Sequence, residues 1–171
     1  TATPLGQLKE FGMDSLIQQF GGNKVALYKG LFFGNIGGCI GETSALLVMA
    51  GGLFLLWRKI ITWHIPVVFL GTLALLSWMF GNDPKELVSW FNGDPLFAVM
   101  AGGAMLGAWF MATDMVTSPV THRGQMIFAA GCGLITFVIR KYGGYPEGVA
   151  YSILLMNTTV PLIDRYFRNR V

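Results

Sequence analysis

Long apolar runs separated by short polar segments make up most of the 171-residue chain. The clearest run is ITWHIPVVFLGTLALLSWMF at 61–80, which as a helix would cross a hydrocarbon core of about 30 Å. Trp63 and Trp78 near its ends are placed as in an interfacial aromatic belt. Similar runs predict four further spans, at 41–59, 95–112, 126–139 and 148–163. The pattern therefore predicts an all-α, polytopic membrane protein with about five transmembrane helices.

Residues 27–44, LYKGLFFGNIGGCIGETS, are too rich in glycine for a stable helix facing lipid. Irregular backbone at membrane depth is tolerated where protein or a hydrated cavity covers it, so we predict a re-entrant or broken helix. Residues 1–26 are more polar and are expected to lie at one membrane face, while residues 41–171 form the helical bundle. The small-residue pairs Gly103/Gly107 and Ala129/Gly133 predict close helix packing, whatever the bundle carries.

Composition supports a membrane protein and limits the partners and the redox chemistry to be expected of it. Hydrophobic residues make up 53% of the chain and charged residues only 12%, against about 25% charged in soluble domains. The net charge of +3 comes from scattered basic residues without aromatic interleaving, so nucleic acid is not expected as a partner. Cys39 and Cys132 lie in apolar runs with no metal-ligand spacing, so redox chemistry would need a bound cofactor. Since no initiator Met opens the chain, we expect it to be part of a longer one.

Basic residues at the span ends bear on orientation. With five spans, the two sides carry equal numbers of Lys and Arg, but the positive-inside rule weighs short loops most. We therefore expect a cytoplasmic C-terminus and residue 3 on the outer side.

Two positions near the start of the chain carry possible chemistry. Pro4 favours an extended conformation at Thr3, which would present the threonine hydroxyl on a loop. Such a hydroxyl could accept a phosphoester, although an ordinary loop threonine has the same surroundings. Glu42, followed by Thr43, stands before a predicted helix. The pair could cap that helix, or the carboxylate could serve an ion or proton relay at membrane depth.

A second polar cluster, MATDMVTSPVTHRG at 111–124, brings Asp114 and Thr117 close to Pro119. It could form a tight turn whose side chains satisfy backbone groups, or a polar cup for a cation or the edge of a flavin ring. Arg140, Glu147 and Asp164 at span ends are interpreted as interfacial anchors. His64 and His122 are far apart in sequence without ligand partners, so they are assigned structural roles and no metal site is predicted.

Six motifs in order, TATPL, GGCIGETS, WHIPVVFLGT, ATDMVTSPVTHRG, IRKYGGYPEGVAYSILLMN and VPLID, resemble the D-subunit family of the Rnf electron-transport complex, in its C-terminal half. The chain is also similar, more loosely, to the B subunit of the sodium-translocating NADH:quinone oxidoreductase. The resemblance runs from residue 1 to the C-terminus. It implies the second half of an inverted-repeat fold like that of urea transporters.

The resemblance also implies a cofactor. The family carries FMN joined through its phosphate to a threonine in a motif resembling Asp-x-x-Ser/Thr-x-Ala-Thr, and Ala2 and Thr3 match its last two positions. The motif's earlier Asp and Ser/Thr would precede residue 1. Thr3 is thus expected to hold covalent FMN after the action of a flavin transferase, and a second, non-covalent riboflavin is associated with subunits of this type. Glu42, Thr43, Asp114 and Thr117 are the positions expected in an ion path or flavin pocket.

The function implied is that of a membrane subunit in a redox-driven ion pump of the prokaryotic inner membrane. It would pass electrons between reduced ferredoxin and NAD, beside other membrane and iron-sulfur or flavin subunits, with coupled sodium or proton movement. It would not be catalytic alone. The alternatives are a quinone-reductase B subunit with the same flavin role, a passive urea- or ammonium-type transporter without flavin, and a structural anchor in which Thr3 is dispensable.

Overall fold

A computed structural model of the chain describes residues 3–19, 22–35, 37, 43–82, 91 and 93–167. Within these ranges the protein is entirely helical, which confirms the all-α prediction for them. The elements in order are α1 Pro4–Phe11, α2 Met13–Gln19, α3 Lys24–Phe33, α4 Ala45–Trp57, α5 His64–Phe80, α6 Pro95–Met100, α7 Ala104–Leu106, which continues as a π-helical turn Gly107–Met111, α8 His122–Tyr142 and α9 Val149–Tyr166.

Helices α5 and α8 pack against each other in parallel. The rings of His64 and His122, at the two N-termini, stack with centroids 4.6 Å apart. Near the other ends the rings of Phe80 and Phe137 lie 6.0 Å apart. The segment α6–α7 must therefore return in the opposite direction between them.

Helix α9 packs antiparallel to α8. Gly131 of α8 lies against Met156, and Gly148 before α9 lies against Ile139 near the end of α8. Helix α4 is joined to α5 by the short connection 58–63, as expected for antiparallel neighbours. Direction therefore alternates from α4 to α9 through five successive segments. Helix α1 lies at the C-terminal end of α8, where Lys9 donates to the Gly143 carbonyl. Thr3 and Tyr166 therefore lie at opposite ends of the bundle; we call these the Thr3 end and the Tyr166 end.

The core depends on small residues at helix contacts. Phe69, Leu73 and Phe128 are fully buried between α5, α8 and the π-helical turn. A methyl group added at Gly133 would lie 2.9 Å from the Phe69 carbonyl oxygen, so only glycine allows this approach of α8 to α5. At Gly107 a methyl group would overlap the Cγ1 atom of Val149 of α9. The close helix packing predicted from the small residues is therefore confirmed at Gly107 and Gly133.

The sequence prediction of one continuous span at 95–112 is wrong. Helix α6 ends at Met100, Gly102 adopts φ +67°, and helical structure resumes only at Ala104. The apolar run correctly indicated burial, but two adjacent glycines permit a left-handed turn that ends a helix.

The break predicted at 27–44 lies only partly within the described residues. Its first part belongs to helix α3, which ends in a left-handed turn at Gly34 with φ +90°. Residues 36 and 38–42 lie outside the described ranges.

One helix is a candidate membrane span by its length and composition. Within the described ranges only α8, with 21 residues, is both long enough and apolar enough to cross a bilayer. Helices α4 and α5 are apolar but have 13 and 17 residues. Helix α5 is shorter than the predicted span because Ile61 to Trp63 belong to the turn that precedes it.

Candidate functional site

Thr3 is the N-cap of helix α1. Its backbone is extended, with φ −63° and ψ 152°, as the following Pro4 predicts. The Thr3 Oγ1 atom accepts a hydrogen bond from the Gly6 backbone N–H at 3.3 Å. Pro4 at the first helical position has no N–H to leave unsatisfied. The hydroxyl therefore stands at the positive end of the helix.

Helix α1 is seated on the break in the α6–α7 segment. Leu5 and Leu8 are buried together with Phe97 and Ala101, on either side of the end of α6. A methyl group at Gly102 would overlap the Cδ1 atom of Leu5. Thr3 is thus two residues away from a side chain that rests directly on the break.

Arg140 of α8 binds the backbone carbonyls that this break leaves without helical partners. Its Nη1 donates to the Ala98 carbonyl at 2.6 Å and its Nη2 to the Ala101 carbonyl at 3.2 Å. Its Nε donates to the Glu147 carbonyl at 3.1 Å. The position of Arg140 at a span end predicts an interfacial anchor and does not indicate this role. A cation next to a Gly-Gly break could have indicated it only if the break itself had been predicted.

Two lysines make comparable contacts at the same end of the bundle. Lys141 is only 5% exposed and donates to the Phe80 carbonyl at the end of α5. Lys9 of α1 donates to the Gly143 and Tyr145 carbonyls after α8, and burial lowers the pKa of its ammonium group. Cations are favourable at helix C-termini because they oppose the negative end of the helix dipole.

A small cavity of about 30 Å³ lies between Lys9, Arg140 and Lys141. Ser77 and Asn82 also line it, but most of the remaining wall is apolar and includes Leu5, Leu8, Phe97 and Phe137. The volume suits about two water molecules. With three basic side chains in its wall, the cavity is unsuited to a sodium ion.

The surroundings of Thr3 fit a phosphoester. Phosphate groups bind readily at helix N-termini, where backbone N–H groups and the helix dipole favour negative charge. The side chain is half-buried, so an attached group would lie against the protein. A methyl group at Gly6 would lie 3.4 Å from Thr3 Oγ1, so a glycine here leaves room beside the hydroxyl. The expectation of FMN at Thr3 is therefore compatible with the chain's own geometry.

Asp114 and Thr117 form a turn at the Tyr166 end. Thr117 Oγ1 donates to Asp114 Oδ2 at 3.2 Å, and the Ser118 N–H donates to the Asp114 carbonyl at 3.1 Å. Asp114 is exposed. Of the two interpretations offered by the sequence, this geometry is that of the tight turn, and the fold does not bring these residues to Thr3. A part for them in an ion path stays a prediction.

The other predicted positions before α4 are only partly described. Glu42 lies outside the described residues, so its two interpretations stay open. Thr43 is exposed, and the cap of α4 is provided by the next residue. Ser44 Oγ accepts from the Leu47 N–H at 3.4 Å and donates to the Phe32 carbonyl at 3.2 Å.

Two ring stacks and two buried polar atoms in the described helices were not predicted. The parallel packing of α5 and α8 stacks His64 on His122, and Trp63 stacks on His64 with centroids 4.3 Å apart. Within the described ranges no group of three metal-ligating side chains accompanies them. Trp109 Nε1 and Asn157 Oδ1 are buried without a hydrogen-bond partner among the described residues.

The fold and the site together define a class of protein: a bundle of apolar helices in which one helix is broken. A threonine lies at the N-terminus of a short helix that packs on the break. The model of the family described as NQR2, RnfD, RnfE matches residues 1–171, and the chain belongs to this family.

Several relatives resemble the chain closely. It is 55% identical over 166 residues to the D subunit of the proton-translocating ferredoxin:NAD(+) oxidoreductase complex of Clostridium ljungdahlii, covering 97% of this chain and 49% of that protein. It is 47% identical over 171 residues to the D subunit of the Na(+)-translocating ferredoxin:NAD(+) oxidoreductase complex of Acetobacterium woodii, covering 100% and 48%. The D subunit of an ion-translocating oxidoreductase complex of Pseudomonas aeruginosa is 41% identical over 169 residues, covering 99% and 46%. The chain thus spans about half the length of these relatives.

Proposed function

We propose that the chain is part of a membrane subunit of an ion-translocating ferredoxin:NAD oxidoreductase and that Thr3 is its site of covalent FMN attachment. The observation that carries the proposal is the position of the Thr3 hydroxyl at the N-terminus of α1, at a hydrogen-bond distance of 3.3 Å from the Gly6 amide. The names of the relatives from Clostridium ljungdahlii and Acetobacterium woodii support the type of complex. As in those proteins, the subunit would act within an assembly rather than alone.

A bound FMN supplies one- and two-electron transfer, and a covalent tether keeps it in the subunit through every redox state. The protein's part is to hold and orient the group. The N-terminus of α1 would receive the phosphate, and the seat of Leu5 and Leu8 would fix the direction in which Thr3 points. Non-covalent riboflavin remains an expectation to which no residue is assigned. The other partners proposed are further membrane and iron-sulfur or flavin subunits, and a flavin transferase for maturation.

The identity of the translocated ion is left as sodium or proton. The relatives from Clostridium ljungdahlii and Acetobacterium woodii are named for different ions, so similarity at this level does not separate the two. The lysine- and arginine-lined cavity at the Thr3 end argues against a sodium path through that point. We therefore look to Glu42, Asp114 and Thr117 for ion handling, as the sequence suggests.

The distribution of basic side chains supports a cytoplasmic C-terminus. At the Tyr166 end Arg58, Lys59, Arg123 and Arg165 are all exposed. At the Thr3 end Arg140 and Lys141 are instead bound to backbone carbonyls, which lessens their effect on a membrane surface. Two lysines of α3, Lys24 and Lys29, are exposed, and Lys24 pairs with Asp94 at 3.5 Å. The positive-inside rule then favours the Tyr166 end as cytoplasmic, with Thr3 on the outer side.

The alternating directions from α4 to α9 support five crossings, and the broken α6–α7 segment is the kind of element found in inverted-repeat transporters. We propose that the chain forms the second repeat of such a fold. The same break would suit a passive transporter, in which Thr3 would serve only as the N-cap of α1.

The test is made on the full-length protein expressed with its flavin transferase. Intact mass and in-gel fluorescence should detect an FMN-sized adduct on the wild-type protein and none on Thr3→Val. Thr121→Val is a matched control, because Thr121 also caps a helix, accepting from the Gly124 N–H at 3.2 Å, but lies at the Tyr166 end. Its adduct should be as abundant as that of the wild type.

An adduct that persists in Thr3→Val would move the attachment site elsewhere. If the wild type has none while the transferase modifies another substrate, the redox-carrier proposal fails. The passive transporter and the structural anchor then remain, and solute uptake by the purified protein separates them.

A further inference from the structure

We propose that Arg140 is the positioning residue for the flavin-attachment segment and that it acts through the helix break at residues 101–103. The inference deepens the proposed function at Thr3 and rests on it. It concerns how the chain holds residue 3, which can be measured with or without the cofactor.

The break leaves backbone carbonyls without helical partners, and an arginine is suited to bind them. Helix α6 ends at Met100, so the Ala98 and Ala101 carbonyls lack the amide partners that a continuous helix would provide. In an apolar region such groups must be satisfied by other protein groups. The guanidinium of Arg140 is planar and carries five N–H donors, and it binds both carbonyls and that of Glu147 at once. A lysine ammonium could not match this spread of acceptors from one position.

The contact passes directly from the break to α1. Gly102 has φ +67° and lies beneath the Cδ1 atom of Leu5, and the Arg140 Nη2 atom would be 3.4 Å from a methyl group at the same position. Arg140 and Leu5 therefore touch the same turn of backbone. If this turn moved, Leu5 would lose its packing contact with Gly102, and Thr3, two residues before Leu5, would move as well.

The other two basic residues at this end hold different elements. Lys141 donates to the Phe80 carbonyl and so stabilises the end of α5. Lys9 joins the far end of α1 to the loop after α8. The neighbouring Lys141, buried and also bound to a carbonyl, is thus the natural control for Arg140.

The experiment uses the full-length protein in membranes. Arg140→Gln removes both the charge and the planar set of guanidinium N–H donors. Arg140→Lys keeps only the charge, and Lys141→Gln is the control. The first readout is the amount of FMN per folded protein after coexpression with the flavin transferase. The second, made without the transferase, is the rate at which a Thr3→Cys variant reacts with a maleimide, after subtraction of the reaction of the parent protein.

We expect Arg140→Gln to lower FMN incorporation about tenfold, as is reasonable for the loss of several charged hydrogen bonds. The rate at which Cys at position 3 reacts with the maleimide should also differ from the rate measured with Arg140 present. Arg140→Lys should restore only part of both, because one ammonium cannot bind three separated carbonyls. Lys141→Gln should leave both readouts close to wild type when they are normalised to folded protein.

Equal FMN incorporation and equal maleimide rates in Arg140→Gln and the wild type would overturn the proposal. If Arg140→Gln does not fold, Arg140→Lys decides, and a wild-type maleimide rate in that variant would equally overturn it. If the wild type takes no FMN but the maleimide rate still depends on Arg140, the positioning role stands and the flavin function fails. Loss of both readouts in Lys141→Gln would overturn the specific role of Arg140.

Discussion

The contact between α5 and α8 at Gly133 gives a sharp test of the fold. A methyl group there would lie 2.9 Å from the Phe69 carbonyl oxygen, 2.9 Å from Thr72 Cβ and 3.3 Å from the Leu73 nitrogen. Two of these three atoms belong to the backbone of α5, so no side-chain rotation can remove the overlap. We predict that Gly133→Ala forces the two helices apart.

The magnitude follows from two opposing effects. Replacing glycine by alanine within a helix stabilises it by about 1 kcal/mol. Ordinary contacts begin at 3.4 Å, so the helices must separate by roughly 0.5–1 Å, and overpacking of this kind costs about 1–3 kcal/mol. We therefore expect Gly133→Ala to range from neutral to about 2 kcal/mol less stable than wild type.

Gly71→Ala is the matched control. Gly71 lies within α5, is exposed and has no atom within 4 Å of the position a methyl group would take. It gains the same helix propensity without the overlap, so it should be more stable than Gly133→Ala by about 1–3 kcal/mol. The free energy of unfolding is measured for both in the full-length protein in detergent, by denaturant titration followed by tryptophan fluorescence. Equal free energies for the two variants would refute the close contact of α5 with α8 at Gly133.

Two further predictions concern the break and the core. Gly102→Ala should be less stable than Gly22→Ala: both glycines have positive φ, which costs alanine about 1–2 kcal/mol, but only Gly102 also meets Leu5. Equal losses in thermal unfolding would show that the contact between the break and α1 adds nothing. Thr136 and Ser152 are buried with their hydroxyl oxygens 2.7 Å apart. Removal of either hydroxyl should lower the free energy of unfolding by about 1 kcal/mol. Losses that add fully in the Thr136→Val, Ser152→Ala double variant would contradict a bond between α8 and α9.

The sequence was informative wherever a single segment determined its own structure. The apolar runs indicated helices, and the small residues at 129 and 133 indicated a close helix contact, because both features act over a few neighbouring positions. Pro4 fixed the extended backbone of Thr3 for the same reason. This local geometry did not identify Thr3 as the candidate attachment residue; the resemblance of Ala2 and Thr3 to the end of the family's flavin motif did.

The sequence was uninformative wherever distant segments meet. The stacking of His64 on His122 depends on the parallel arrangement of two helices separated by an intervening segment. The break at Gly102 was missed because hydrophobicity reports burial and does not report the continuity of a helix. Without the break, nothing in the sequence could have assigned Arg140 to the carbonyls of Ala98 and Ala101.

The break also explains why the candidate attachment site and the basic residues occur at the same end. A helix that stops within the bundle leaves carbonyl groups there, and these carbonyls need donors that apolar neighbours cannot provide. Arg140 supplies the donors, and Gly102 leaves the surface on which Leu5 rests. The same turn of backbone therefore supports the helix that carries Thr3 and binds the guanidinium of Arg140.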